Sequence, residues 1–202
     1  MTIVKSTPQF GESYRIGDIG FTRTFDLIGD AIAYGEHWEQ SGELPSVNHV
    51  FVVAGNDYCI QAHISDGVQT GGISAYLDDP KSRVYFRRPL LWTRELGVRI
   101  ASSAASKIGC KYAKDLIIET ALADTELGHE INVLFDNWPH HELAKLLTNP
   151  LEFMCSMLGA ASLFAQPEYK KCPLFANPLG AISPQALLEN GPFEPTLTDV
   201  NV

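Results

Sequence analysis

Cys155 is a candidate nucleophile near the start of an apolar run, residues 151–164, that carries no charge after Glu152. Asn149 and Pro150 predict that a helix begins there, because Asn caps helices well and Pro is tolerated at the first helical position. Cys155 would then lie in about the first turn, where free N–H groups and the positive end of the helix dipole favour the reactive thiolate. The alternative is a core residue, since free cysteine is among the most buried residue types.

A predicted hairpin supplies a candidate base, His49. Its strands are residues 47–54 and 58–64, which are β-rich runs on either side of a Gly-Asn-Asp turn. If the turn has three residues, Phe51 faces Gln61, and His49 has Gln61 as its diagonal neighbour within reach of a long polar side chain. A two-residue turn would shift the register by one and send His49 and Gln61 to opposite faces.

In their order along the chain, these residues resemble the circularly permuted papain-like proteins. This is the YiiX/YaeF group, related to the NlpC-type peptidases and to lecithin:retinol acyltransferase. In that group the histidine precedes the nucleophile, as in this chain. The likeness covers about residues 17–190. The segments that carry it are Gly17-Asp18-Ile19-Gly20-Phe21, His49 in Asn-His-Val-Phe-Val-Val, Gln61-Ala62 with the later Asp66-Gly67-Val68, Ile108-Gly109-Cys110-Lys111-Tyr112, Cys155-Ser156 and Ile182-Ser183-Pro184.

The resemblance implies an α+β fold of the permuted papain-like (NlpC-type) kind, with a small antiparallel sheet packed on helices. It also implies a thiol hydrolase, a cysteine peptidase or amidase, that cleaves an amide or ester bond through an acyl-enzyme. Cys155 would attack the carbonyl carbon, His49 would transfer the proton and Gln61 would orient His49. The backbone N–H of Cys155 would help hold the oxyanion. His63, in the same predicted strand as Gln61, is the alternative orienting residue.

Two departures from the group's pattern leave other functions open. The third position is usually Glu, or His in the acyltransferase branch, and here it is Gln61. A neutral amide can accept the imidazole N–H, but it stabilises an imidazolium less than a carboxylate does. The group's Tyr-Cys-Ser-Glu is replaced by Met154-Cys155-Ser156-Met157. The alternatives are an acyltransferase or lipid esterase on the same fold, and a non-catalytic binding protein that retains the fold.

Apolar patterns predict the elements that position these residues. We expect strands at residues 17–22, 48–54, 58–64 and 82–88, and the clearest helix at residues 93–108 with Thr93 as its cap. Further helices are predicted at residues 26–38, 112–122, 125–147 and 184–189. The last ten residues are expected to be a tail.

The composition limits the class of protein. A chain of 202 residues with 45% hydrophobic residues can form a substantial core. We expect one domain over residues 1–202, with a helical insertion at about residues 124–150. The formal net charge of -9 and the pI of about 5.0 argue against a nucleic-acid partner, because phosphate binding needs clustered Lys and Arg.

Targeting and cofactor signals are missing from the sequence. Residues 1–10 lack the apolar core of a secretory signal, and no apolar run is long enough to cross a bilayer. The cysteines have no metal-type spacing and are expected to be reduced. They are Cys59, Cys110, Cys155 and Cys172. We therefore expect a cytoplasmic enzyme without metal or cofactor that acts on a peptide, amide or lipid-ester substrate.

Overall fold

A computed structural model describes residues 1–24, 45–63, 65–112 and 152–201 of the chain, and a seven-stranded sheet runs through them. Its strands are β1 (Thr2–Lys5), β2 (Ile19–Thr24), β3 (His49–Val53), β4 (Cys59–His63), β5 (Gly67–Gly71), β6 (Ser82–Pro89) and β9 (Phe193–Asp199). They lie in the order β1-β9-β6-β2-β3-β4-β5, and all neighbours are antiparallel except β1 and β9. Lys111–Tyr112 (β7) and Glu152–Phe153 (β8) form a separate parallel pair.

Helices pack on this sheet, so the architecture is mixed α/β. The described residues contain α1 (Ser74–Leu77), α2 (Arg94–Ala105), α3 (Cys155–Phe164) and α4 (Pro184–Asn190). Three short 3-10 turns lie between α3 and α4. In the part of the chain that the structure describes, no helix has the length and apolar character needed to cross a membrane.

Strand β3 is apolar from Val50 to Val53 because both of its faces are covered. Val50 and Val52 belong to the larger core cluster, which includes residues of α3. Phe51 and Val53 belong to a second cluster, against which residues of α1 pack. Since successive side chains of a strand point to opposite faces, His49 shares the face of Phe51. The histidine is therefore carried on the α1 side of the sheet, and α3 lies on the other side.

The four predicted strands are confirmed as β2, β3, β4 and β6, with ends within two residues of the predicted ones. The predicted sheet is too small, because β1, β5 and β9 extend it. The prediction of a C-terminal tail is wrong, since β9 lies between β1 and β6. The pattern of apolar residues does not predict β1 or β9. Every residue of β1 is exposed, and β9 buries only Phe193 and Leu197. Their pairing is decided by distant strands.

Helix α2 begins where its cap predicts. The Thr93 side chain accepts a hydrogen bond from the Leu96 N–H at 3.1 Å, which satisfies one of the free donors of the first turn. The predicted inward stripe of Leu96, Ile100 and Ala104 is buried. The helix ends at Ala105, three residues earlier than predicted, and Ser106 is its C-cap.

The predicted start of the cysteine helix at Pro150 is wrong. Glu152–Phe153 is extended and pairs in parallel with Lys111–Tyr112. Met154 is the N-cap and has extended dihedral angles, so Cys155 is the first residue of α3. The prediction that Cys155 lies in the first turn is confirmed. Because β7 pairs with β8, Tyr112 is brought next to the segment that leads into Cys155.

Several predictions fall outside the described residues. These are the helices at residues 26–38 and 125–147, the part of the 112–122 helix beyond Tyr112, and the insertion at about residues 124–150. The single-domain expectation for residues 1–202 stays a prediction for the same reason. At Tyr112 itself the helix prediction is wrong, because this residue is in β7 and pairs with Phe153.

Close packing against α2 explains why position 17 is a glycine. Gly17 has a φ of 82°, and a Cβ at this position would overlap the backbone of Gly97 in α2. The next residue, Asp18, is buried and accepts hydrogen bonds from the Arg88 guanidinium at 3.0 Å and the Arg15 N–H at 2.9 Å. The segment that leads into β2 therefore packs closely against the backbone of α2.

We expect Gly17→Ala to lower the free energy of unfolding by about 1–3 kcal/mol more than Gly11→Ala does. Both glycines have similar positive φ values, 82° and 91°, so both variants carry the strain of that conformation. Only Gly17 has a neighbour in the way, because a Cβ at Gly11 would meet nothing within 4 Å. Urea denaturation measures the difference. Equal losses in the two variants would contradict the close approach of β2 and α2.

Candidate active site

His49 and Gln61 are hydrogen-bonded across the β3–β4 hairpin. The register pairs Phe51 with Gln61 and Val53 with Cys59, as predicted for a three-residue turn. The Nε2 atom of His49 lies 3.0 Å from Oε1 of Gln61. The predicted register and the predicted contact between these two side chains are both confirmed.

The acceptor on Gln61 determines which nitrogen of His49 carries the proton. Gln61 Oε1 is a carbonyl oxygen and can only accept, and it also accepts a hydrogen bond from the Tyr76 hydroxyl. His49 therefore donates through Nε2–H. In the neutral ring the other nitrogen, Nδ1, is then the unprotonated one, and it is the nitrogen that could act as a base.

The Cys155 sulfur lies among hydrogen-bond donors at the N-terminus of α3. The backbone N–H groups of Val50 and Ser156 and the Tyr112 hydroxyl face it closely enough to act against the rise in the pKa of its thiol that burial causes. The Met154 N-cap provides no side-chain hydrogen bond, so the first-turn N–H groups are left for other acceptors. These donors can stabilise negative charge on the sulfur, or on the oxygen of a carbonyl group bound at the same place.

The backbone N–H of Val50 shows that the Cys155 sulfur lies where β3 and β4 separate. The N–H groups of alternate strand residues point to the same neighbour, and the Ala54 N–H donates to Tyr58 O on the β4 side at 2.8 Å. The Val50 N–H therefore also points toward β4. The pairing of these strands ends at Phe51 and Gln61, and beyond that pair the Val50 N–H faces the Cys155 sulfur and acts to lower the pKa of its thiol. The sulfur thus lies beside the peptide bond that joins His49 to Val50.

The ring of His49 and the sulfur of Cys155 approach this opening from opposite sides of the sheet. His49 lies on the α1 side, with its ring centroid 5.7 Å from that of Tyr76. Cys155 heads α3 on the other side. Within the described residues, no hydrogen bond joins the ring to the sulfur.

Burial keeps both groups neutral. It raises the pKa of the Cys155 thiol above its ordinary value of 9.0, although the N–H donors of Val50 and Ser156 act in the opposite direction. Burial also lowers the pKa of His49 below 6.5, and its hydrogen bond to Gln61 opposes that shift. Near neutral pH the site therefore holds a thiol and an imidazole, and no preformed thiolate–imidazolium pair.

The structure brings Gln61, and not His63, to the candidate base. The His63 side chain is about half exposed, and its Nδ1 lies 2.8 Å from Ser65 Oγ. Asp66 lies 3.6 Å from the same nitrogen. In the described part of the chain His63 has no hydrogen bond to His49, so the alternative orienting role has no geometric support.

Two tyrosines of the site were not predicted from the sequence. Tyr112 belongs to the Gly-x-x-Tyr segment, but nothing in the sequence alone indicates that β7 and β8 pair and bring it to Cys155. Tyr76 lies in the short α1, and its contact with Gln61 depends on how α1 packs on the hairpin. Burial raises the pKa of both hydroxyls, so both are protonated and can donate.

Neither a set of metal ligands in the described residues nor a match to a protein family accompanies this geometry. In residues 1–24, 45–63, 65–112 and 152–201, no three His, Cys, Asp or Glu side chains are placed to hold a metal ion. No protein-family model matches the sequence, and a comparison with curated proteins finds no match.

We expect the rate at which iodoacetamide alkylates Cys155 to keep rising with pH beyond 9.0, because burial raises the pKa of this thiol above that value. Peptide mass spectrometry separates Cys155 from the other cysteines and gives its rate at each pH. The control is the same cysteine in the urea-denatured chain, which should follow the ordinary thiol pKa. A folded-state rate that levels off below the pH found for the denatured chain would contradict the neutral pair.

Proposed function

We propose that the protein is a thiol hydrolase that cleaves an amide or ester bond through an acyl-enzyme on Cys155. The observation that carries the proposal is the arrangement at the end of the β3–β4 hairpin. The His49 ring is held by Gln61 at 3.0 Å, and the N–H of the next residue, Val50, faces the sulfur of Cys155 and acts to lower the pKa of its thiol. The candidate base and the candidate nucleophile thus lie on either side of the peptide unit that joins His49 to Val50.

The first step is attack of the Cys155 sulfur on the carbonyl carbon. As the S–C bond forms, Nδ1 of His49 takes the thiol proton and the carbonyl π-electrons move to oxygen. The oxyanion accepts hydrogen bonds from donors at the N-terminus of α3, among them the backbone N–H of Cys155. The neutral state of thiol and imidazole supports general-base catalysis during the attack, in place of a thiolate present in advance.

The second step returns the proton. The imidazolium of His49 protonates the departing nitrogen or oxygen as its bond to carbon breaks, which leaves a thioester on Cys155. Water, deprotonated by Nδ1, then attacks the thioester and releases the acid and the thiol. Gln61 keeps Nε2 protonated throughout, although a neutral amide stabilises the imidazolium less than a carboxylate would.

We propose further that the fold is the permuted papain-like one. The histidine strand precedes the cysteine helix in the chain, the orienting residue lies on the strand beside the histidine, and the nucleophile is the first residue of a buried helix. Amides and esters, including cell-wall peptides, isopeptides and lipid esters, are the substrate classes of this chemistry. An acyltransferase would use the same residues and would pass the acyl group to an acceptor other than water.

The second candidate is a non-catalytic binding protein that retains the fold. Three observations favour it: the raised pKa of Cys155, its low exposure of 5%, and the lack of a hydrogen bond from the sulfur to the His49 ring within the described ranges. In that case Cys155 would be a buried helix-start residue and the His49–Gln61 hydrogen bond would be structural.

A small activated ester tests the hydrolase proposal. We expect p-nitrophenyl acetate to acetylate Cys155, and to be turned over, in the wild type but not in Cys155→Ala. His49→Ala should lower turnover at least about 100-fold, because general-base catalysis supplies a factor of that order. Mass spectrometry locates the acetyl group, and p-nitrophenol release gives the rate.

Two variants serve as controls. Cys172→Ala removes a partly buried thiol whose hydrogen bond goes to Asn190 O, and His63→Ala removes the exposed histidine of β4. Both should keep wild-type turnover. Full turnover in Cys155→Ala would rule out the proposed nucleophile. A larger loss in His63→Ala than in Gln61→Ala would show that the third residue is wrongly assigned.

A further inference from the structure

We propose that Tyr76 is a positioning residue that fixes the orientation of the Gln61 amide and, through it, the tautomer of His49. This inference rests on the proposed function, because it concerns which nitrogen of His49 carries the proton in the same site. It adds a fourth side chain, from an element outside the hairpin, to the three that the sequence indicates.

The contacts of Tyr76 are directed at the hairpin end where the site lies. Its hydroxyl donates a hydrogen bond to Gln61 Oε1, the same atom that accepts from His49. Its ring stacks on Phe51, with centroids 5.3 Å apart and an interplanar angle of 6°, and lies 5.7 Å from the His49 ring. One aromatic side chain thus contacts the base, the orienting amide and the residue that pairs with that amide.

The orientation of the amide decides which His49 nitrogen is a base. Rotating a glutamine amide by half a turn exchanges its accepting oxygen for its donating nitrogen. With the oxygen held by Tyr76, His49 must donate through Nε2–H and Nδ1 is unprotonated. With the amide reversed, the NH₂ group would donate to Nε2, the ring proton would sit on Nδ1, and Nδ1 could no longer accept a proton from the thiol.

The space around Gln61 agrees with the orientation that Tyr76 selects. The amide nitrogen points toward Gly71 on the neighbouring strand β5, where a Cβ would lie 2.5 Å from it. The oxygen faces the two donors, Tyr76 and His49. Burial raises the pKa of Tyr76, so its hydroxyl keeps the proton that it donates.

The hairpin turn holds Tyr76 in place. Helix α1 is a single turn, which is too short to be stable alone. Asp57 in the β3–β4 turn accepts from the Ser74 N–H at 2.6 Å and from the Ser74 hydroxyl at 2.8 Å, and both bonds lie at the start of α1. The same hairpin therefore carries His49 and Gln61 on its strands and anchors Tyr76 through its turn.

The test compares Tyr76→Phe with Tyr14→Phe. Tyr14 is buried in the same second core cluster, and its hydroxyl donates to Asn56 O of the turn at 2.8 Å, so Tyr14→Phe loses a similar hydrogen bond without touching Gln61. Nitrogen-15 NMR of the histidine rings reads the tautomer of His49. We expect Nδ1 of His49 to be unprotonated in the wild type and in Tyr14→Phe, and to become partly protonated in Tyr76→Phe.

Turnover of p-nitrophenyl acetate gives the second readout. Tyr76→Phe should lower kcat about tenfold at unchanged KM, and Tyr76→Phe combined with Gln61→Ala should be no slower than Gln61→Ala alone, because Tyr76 acts through Gln61. A wild-type tautomer in Tyr76→Phe, or losses that multiply in the double variant, would overturn the inference. Turnover that survives in Cys155→Ala would instead overturn the proposed function, and the NMR result would still decide the role of Tyr76.

Discussion

The separation of β3 from β4 beyond the Phe51–Gln61 pair is the constraint on which the candidate site depends. Where the two strands are paired, the N–H groups that point between them donate hydrogen bonds within the sheet. The paired backbones then separate the two faces of the sheet. Where the pairing ends, the Val50 N–H becomes available to Cys155. Because the helix lies on one face and the histidine on the other, the end of the β3–β4 pairing sets the position of the candidate site.

The same arrangement explains why the site is neutral at rest. Cys155 is buried and His49 is partly buried, and burial penalises the charged form of each. The donors around Cys155 reduce this penalty without overcoming it. Charge would then develop only when a carbonyl group enters and the proton moves, at the point where the helix start can stabilise an oxyanion.

Local signals predicted the parts of the structure that depend on local physics. The hairpin register follows from the turn length and the alternation of side chains, and the start of α2 follows from the Thr93 cap. Both are confirmed. Elements set by distant partners could not be predicted in this way. The cysteine helix starts at Cys155 because β8 pairs with β7, about forty residues earlier in the chain, and β9 becomes a strand because β1 and β6 flank it. The contact of Tyr76 with Gln61 likewise needs the packing of α1.

The central claim is that the Cys155 sulfur and Nδ1 of His49 can meet in the opening between β3 and β4. Cross-linking with dibromoacetone, whose two reactive carbons flank one carbonyl group, tests it most directly, because the reagent alkylates the sulfur and then a nitrogen within its short reach. Peptide mass spectrometry should find Cys155 joined to His49. Recovery of Cys155 alkylated at one end only, or joined to another side chain with His49 unmodified, would contradict the account.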